Sequence, residues 1–111
     1  MTKEETFNYL VNAVAKKFEG KVNEEYSRNI IGSKNGLIEK GEIKIYISEV
    51  HRHNGTEENV NYKIEIYRKP SPESGRLIEI CKVKVPFGAS EKVMKNRIAK
   101  LYINWNNKRE G

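Results

Sequence analysis

Two histidines, one cysteine and a set of lysines are the side chains of this chain best equipped for chemistry. His51-x-His53 has a spacing that supplies two metal ligands, yet no third ligand with suitable spacing accompanies it. The same pair has the acid–base chemistry of a metal-independent ribonuclease, with Lys or Arg to steady a phosphorane. Nothing in the sequence positions such a set, and two histidines in a polar surface loop are the simpler reading. Cys81 lies among apolar residues of a strand and reads as core, not as a nucleophile. All 15 acidic residues are Glu. Without Asp, the usual metal-dependent nuclease cluster and a Ser-His-Asp arrangement are both absent. The residues thus point to a non-catalytic protein with no metal or cofactor, and leave binding as the chemistry to explain.

Binding chemistry concentrates in residues 86–101. Pro86 and Gly88 break the preceding strand, and Ser90 is a good N-cap for a helix beginning at Glu91. Met94, Ile98, Leu101 and Trp105 then recur at helical spacing, predicting a helix over about 91–107. Lys92, Lys95 and Asn96 fall in its first two turns, largely off the apolar face. A cation at a helix N-terminus costs up to about 1 kcal/mol. A phosphate neighbour would turn that misfit into attraction, because it draws on the helix end and the lysines together.

The charge distribution agrees. Net charge is +6, and residues 82–111 alone carry eight of the 21 basic residues against two of the 15 acidic ones. Residues 1–81 therefore hold 13 of each sign and are neutral. An excess confined to the last strand and helix favours an anionic partner met by one face. One cysteine allows no internal disulfide, which suits a reducing cytoplasm. No signal peptide or membrane-spanning apolar run is evident.

The rest of the chain must position that helix. Its 111 residues suit a single domain, 1–111. Thr2-x-x-Glu5 is a capping box, and Phe7, Leu10, Val11, Val14 and Phe18 make one apolar stripe. These predict a first helix over about 3–18, with Gly20 as its stop. Asn8, Asn12 and Lys16 lie away from the stripe. Residues 20–41 show no single period. Ser33-Lys34-Asn35-Gly36 reads as a turn there, flanked by a short strand pair or preceded by a short helix near Asn23–Asn29 and a loop, with the remainder unassigned. Three strands come next: Ile43, Ile45 and Ile47 alternate with polar residues, as do Tyr62, Ile64 and Ile66, and residues 77–85 form the third. In that third strand the inward parity is ambiguous, Ile78 and Ile80 fitting one face and Cys81, Val83 and Val85 the other; a bulge near Cys81 would reconcile them. The expected fold is α+β, ordered α-β-β-β-α: a three-stranded antiparallel sheet with both helices on one face, plus an insertion between helix one and strand one. Lys44, Tyr46, Lys63, Glu65 and Tyr67 would line the other face. Its tyrosines suit base stacking, although cross-strand packing is the commoner reason for such residues.

This order, with a capped and lysine-bearing second helix, resembles the double-stranded RNA-binding domain. That family's second helix begins Ser-Lys-Lys-x-Ala-Lys-Asn and continues Ala-Ala-Ala-Lys-Leu. Ser90, Lys92, Lys95, Asn96, Ala99, Lys100 and Leu101 match that pattern, and Glu91 departs from it. The resemblance is best over residues 42–103. It implies contact with A-form RNA across two minor grooves and the phosphates between them. Lys92 and Lys95 would take phosphates, and Asn8 on helix one would meet a minor groove. His51, Arg52 and His53 stand where the family carries Gly-Pro-x-His, and Tyr9 departs from its Leu-Asn-Glu-Leu.

Two functions are expected from these residues. One is sequence-independent binding of double-stranded or structured RNA through the second helix and the first inter-strand loop. The other is a small interaction or inhibitor module that uses this fold to bind a host protein. A Lys/Asn/Ile-rich bacterial mobile element or phage product would suit that role, and Ile30, Ile31, Leu37 and Ile38 would be its contact surface.

Overall fold

The structure is a computed structural model that describes residues 1–26, 29–30, 33–51, 60–71, 73 and 75–110. Helix α1 spans Lys3–Phe18 and opens on the expected capping box. The Thr2 hydroxyl accepts from the Glu5 amide (3.1 Å), and Glu5 Oε1 accepts from the Thr2 amide (3.0 Å). The Thr2 amide holds the Glu5 carboxyl below its ordinary range. Phe7, Leu10, Val11, Val14 and Phe18 are all buried, as the stripe requires.

The helix stops differently from expectation. Glu19, not Gly20, takes the left-handed conformation (φ 54°). Gly20 is small for another reason: a Cβ there would sit 2.5 Å from Ile38 Cγ2. Ile38 is fully buried and has little room to retreat. Gly20→Ala should therefore destabilise the chain by about 1–3 kcal/mol, the usual cost of overpacking. A lowered urea midpoint with unchanged slope is the expected measurement.

Beyond α1 the described residues form six strands: β1 (Lys21–Val22), β2 (Asn29–Ile30), β3 (Ser33–Lys40), β4 (Ile43–His51), β5 (Val60–Arg68) and β6 (Ile78–Pro86). The expected three-stranded sheet is incorrect. The strands run in the order β1-β3-β4-β5-β6, all antiparallel, and β2 also pairs with β3. The additional strands come from residues 20–41, which have no readable period. Asn35-Gly36 is no turn but lies inside β3, paired with Ser48 and Ile47. The reversal lies past the end of β3, in its connection to β4, where Gly41 has φ 56°.

The three longest strands behave as their alternation predicts. Ile43, Ile45 and Ile47 of β4 and Tyr62, Ile64 and Ile66 of β5 are buried on the helical side. Pairing of β5 with β6 slips between Ile66 and Tyr67, opposite Cys81 and Glu79. Ile80 is the extra residue, so the reconciling bulge is present beside Cys81. It turns Cys81 and Val85 inward, and burial pushes the Cys81 thiol up.

Helix α2 spans Glu91–Glu110 and buries Met94, Ile98, Leu101 and Trp105. Both helices join their stripes to one sheet face in a single core. Tyr62 fixes that layer at one end: its hydroxyl donates to the Lys3 carbonyl at the start of α1 (3.1 Å). Burial raises this phenol to about 12.

The other sheet face carries Lys44, Tyr46, Lys63, Glu65 and Tyr67, all half-buried, as expected. The expected apolar contact surface is corrected. Leu37 is 6% and Ile38 0% exposed, while the Ile30 side chain and Ile31 lie outside the described residues. Adjacent residues on opposite strand faces are both buried here, because Ile38 meets the helices and Leu37 pairs with Tyr46 on the other side.

Glu39 organises the edge of that second face. The Lys44 ammonium donates to its Oε2, and Asn23 Nδ2 donates to Oε1 (2.9 Å). These partners, Lys44 foremost, lower the carboxyl from its ordinary 4.5. A lowered pKa contributes stability that is complete above the unfolded value and lost as pH falls through the folded one. Stability of the native chain should thus fall more steeply below pH 4.5 than that of Glu39→Gln. For so solvated a pair the difference stays under about 1 kcal/mol. Urea midpoints of both proteins measured from pH 6 to pH 3 would show it.

Candidate nucleic-acid interface

The start of α2 is built by a short sequence of local contacts. Gly88 supplies a left-handed φ of 87°, and the Ala89 amide closes a turn on the Pro86 carbonyl (3.2 Å). The Ser90 hydroxyl then accepts from the Val93 amide (3.2 Å), so Ser90 is the N-cap that its type and position suggest. Lys92, Lys95 and Asn96 are exposed on the first turns of the helix. Glu91, the departure from the family pattern, forms an i,i+4 pair with Lys95 at 3.4 Å. Both groups are well solvated, and such a pair stabilises by only about 0.3–0.5 kcal/mol. Lys95 can therefore exchange it for a phosphate at little cost. Arg97 is directed elsewhere, donating to the Lys84 carbonyl at 3.1 Å.

A groove of about 540 Å³ runs between the two helices. Tyr9, Ala13, Lys16 and Lys17 line it from α1, and Lys95, Asn96, Ile98 and Ala99 from α2. Ala13 and Ala99 are small and leave the space open, while Tyr9 and Ile98 give it an apolar wall. Three lysines line it and no carboxylate does. The Lys17 ammonium lies 5.2 Å from the centre of the Tyr102 ring, a cation–π contact that leans it toward α2.

The expected site residues are only partly assembled. Lys95 and Asn96 share the groove. Ser90 and Lys92 stand at the start of α2, beyond its lining. Asn8 is exposed on α1 but does not line the groove. His51 ends β4 and pairs with Val60, and its side chain lies outside the described residues, as do Arg52 and His53. The end of β4–β5 nevertheless falls close to α2, since Asn61 pairs with Pro86 four residues before Ser90. With Tyr62 bonded to Lys3, the starts of both helices and the end of that hairpin occupy one end of the sheet.

Lys17 escaped the sequence reading, Lys16 appeared there only as a polar-face residue, and Tyr9 only as a family mismatch. A signal for them exists: Tyr9, Ala13, Lys16 and Lys17 fall at i, i+4, i+7 and i+8, one side of α1. The side adjoins the core stripe and becomes a groove wall once α2 packs beside it.

No family model, curated protein or solved structure matches the chain. Among the described residues no three His, Cys or Glu side chains come together to hold a metal ion. No helix among them is long and apolar enough to cross a membrane.

Proposed function

We propose that the chain binds double-stranded or structured RNA, without catalysis, through its helical layer. The observation that carries this reading is the interhelical groove, lined by Lys16, Lys17 and Lys95 with no carboxylate. It lies along the helix that holds most of the excess positive charge. Lysines on two helices separated by a groove suit two backbone phosphates better than one compact anion. Phosphate contacts set affinity and salt dependence but carry no sequence information. The preference for RNA rests on the motif of residues 90–101 and on A-form geometry, whose wide minor groove admits an exposed helix such as that bearing Asn8. The expected cytoplasmic setting and the reading as a single RNA-binding domain belong to this proposal.

Fluorescence anisotropy with a duplex RNA of about 20 base pairs tests it, since such a domain spans roughly 16. DNA of matched sequence, at two salt concentrations, is the control. RNA bound more tightly than DNA at both salts supports the proposal. Equal and fully salt-sensitive binding to both would overturn it, leaving a basic surface and the host-protein module to pursue.

A further inference from the structure

The sheet face away from the helices holds a second, chemically different site. Tyr26, Tyr46 and Tyr67 form a chain of perpendicular rings there. Tyr46 is 5.7 Å from Tyr26 at 73° and 5.6 Å from Tyr67 at 80°. With Glu65, Ser48 and Leu77 they line a cavity of about 410 Å³.

Each wall is held in place. The Tyr26 amide donates to Asn23 Oδ1 (3.0 Å), and Asn23 is tied by its own amide to the Leu37 carbonyl (2.8 Å) and by its side chain to Glu39. Tyr46 and Tyr67 stand on adjacent strands. The Tyr67 hydroxyl donates to Glu65 Oε2 (2.7 Å), and that carboxylate raises the phenol to about 12. Burial raises Tyr46 as well, so both rings stay neutral through the physiological range.

Neutral aromatic rings present a negative face, and the Glu65 carboxylate beside them orients the Tyr67 ring by accepting from its hydroxyl. Glu65 meets Tyr67 and Lys63 (3.4 Å) through the same oxygen, Oε2. With Glu65 paired to Lys63, the ring faces themselves are what favour a cation over an anion here. A bare ammonium would lose its hydration against rings that accept poorly, whereas a methylated ammonium is weakly hydrated and fits ring faces. Leu77, 38% exposed, extends an apolar shelf from the cavity for an alkyl stem.

We infer that Tyr26, Tyr46, Tyr67 and Glu65 form an aromatic cage for a methylated lysine side chain of a partner polypeptide. The cage opens on a sheet face, where an extended peptide can lie while one side chain enters. It is independent of RNA binding, being on the opposite side of the sheet from the lysine groove.

The test is an NMR titration of the full chain with a short peptide bearing trimethyllysine. The comparators are the same peptide with unmodified lysine, the peptide with a neutral tert-butyl isostere, and choline. The expected result is amide shifts centred on Tyr26, Tyr46, Glu65 and Tyr67, with trimethyllysine bound about tenfold tighter than lysine. Tyr46→Phe should keep the binding, Glu65→Gln should weaken it several-fold, and Tyr46→Leu should abolish it. Substituting Lys16, Lys17 and Lys95 should leave it unchanged, which separates this site from the RNA-binding proposal. Equal binding of the neutral isostere would overturn the inference, as would Glu65→Gln and Tyr46→Leu variants that fold and bind like the native chain. Choline bound as tightly as the peptide would overturn the assignment to a polypeptide.

Discussion

Phe18→Ala is expected to cost about 3–5 kcal/mol, the usual range for removing a large buried ring. Phe18 is fully buried at the last position of α1. Its ring meets two others of α2 edge-on, Tyr102 at 5.1 Å and Trp105 at 5.4 Å. Tyr102 and Trp105 are themselves 5.7 Å apart, so one truncation unsupports a three-ring cluster. Edge-to-face pairs add about 0.5–1.5 kcal/mol each beyond area burial, which places the loss in the upper half of that range. Small domains are stable by only about 5–15 kcal/mol, so the variant should be folded but close to its limit. A melting temperature lowered by more than about 10 °C is the direct readout. Trp105 emission should move to longer wavelength in the native state, because water reaches the space the ring leaves. Phe18→Leu should recover most of the loss. A destabilisation below about 1 kcal/mol would mean that α1 and α2 are held together elsewhere.

The same cluster shows what kind of information the sequence carries. Phe18 closes an apolar stripe of period 3.6, and Trp105 closes another. Both helices are legible because each buries one side and leaves the rest to water. Strands β4 and β5 are legible for the corresponding reason at period two. Even the β6 bulge leaves a trace, because the apolar parity switches between Ile80 and Cys81 and one extra residue reconciles it. β3 cannot be read this way. Leu37 and Ile38 are adjacent and both buried, so no alternation marks the strand. Its glycine misleads as well. Asn35-Gly36 carries the composition of a tight turn, whose usual demand is a positive φ. Gly36 instead serves close approach: a Cβ there would meet Val11 Cγ2 at 3.1 Å and Phe7 Cζ at 3.3 Å. A sequence states that a glycine is present but not which of its two uses is required.

The sites divide along the same line. Lys95 and Asn96 belong to a local helix motif and can be found by inspection. Lys16 and Lys17 matter only because α2 lies beside α1, a fact of packing across some 80 residues of chain. The tyrosine cage is more dispersed still. Tyr46 and Tyr67 share a face by strand parity, but Tyr26 reaches them through the Asn23 turn, in the segment without a period.

That distinction sets the second large effect, which concerns the groove. Exchanging Lys16, Lys17 and Lys95 together for Gln should flatten the salt dependence of RNA binding. Each phosphate contact adds roughly one unit to the slope of log K against log salt, so three lost contacts should lower it by about three. Affinity should fall most at low salt, where counterion release is worth most, and the loss should be about the same for unrelated duplex sequences. Stability should change little, since Lys16, Lys17 and Lys95 are at the surface and surface substitutions usually stay within about 0.5 kcal/mol. Lys17 adds a cation–π contact with Tyr102 worth about 0.5–1 kcal/mol at an exposed site, which sets the upper bound. Lys44 and Lys63 provide the control, being lysines of the other sheet face already paired with Glu39 and Glu65. Their exchange for Gln should leave the slope unchanged. A slope that falls equally in both variants would mean that RNA reads only total charge, and the groove would lose its claim to be the interface.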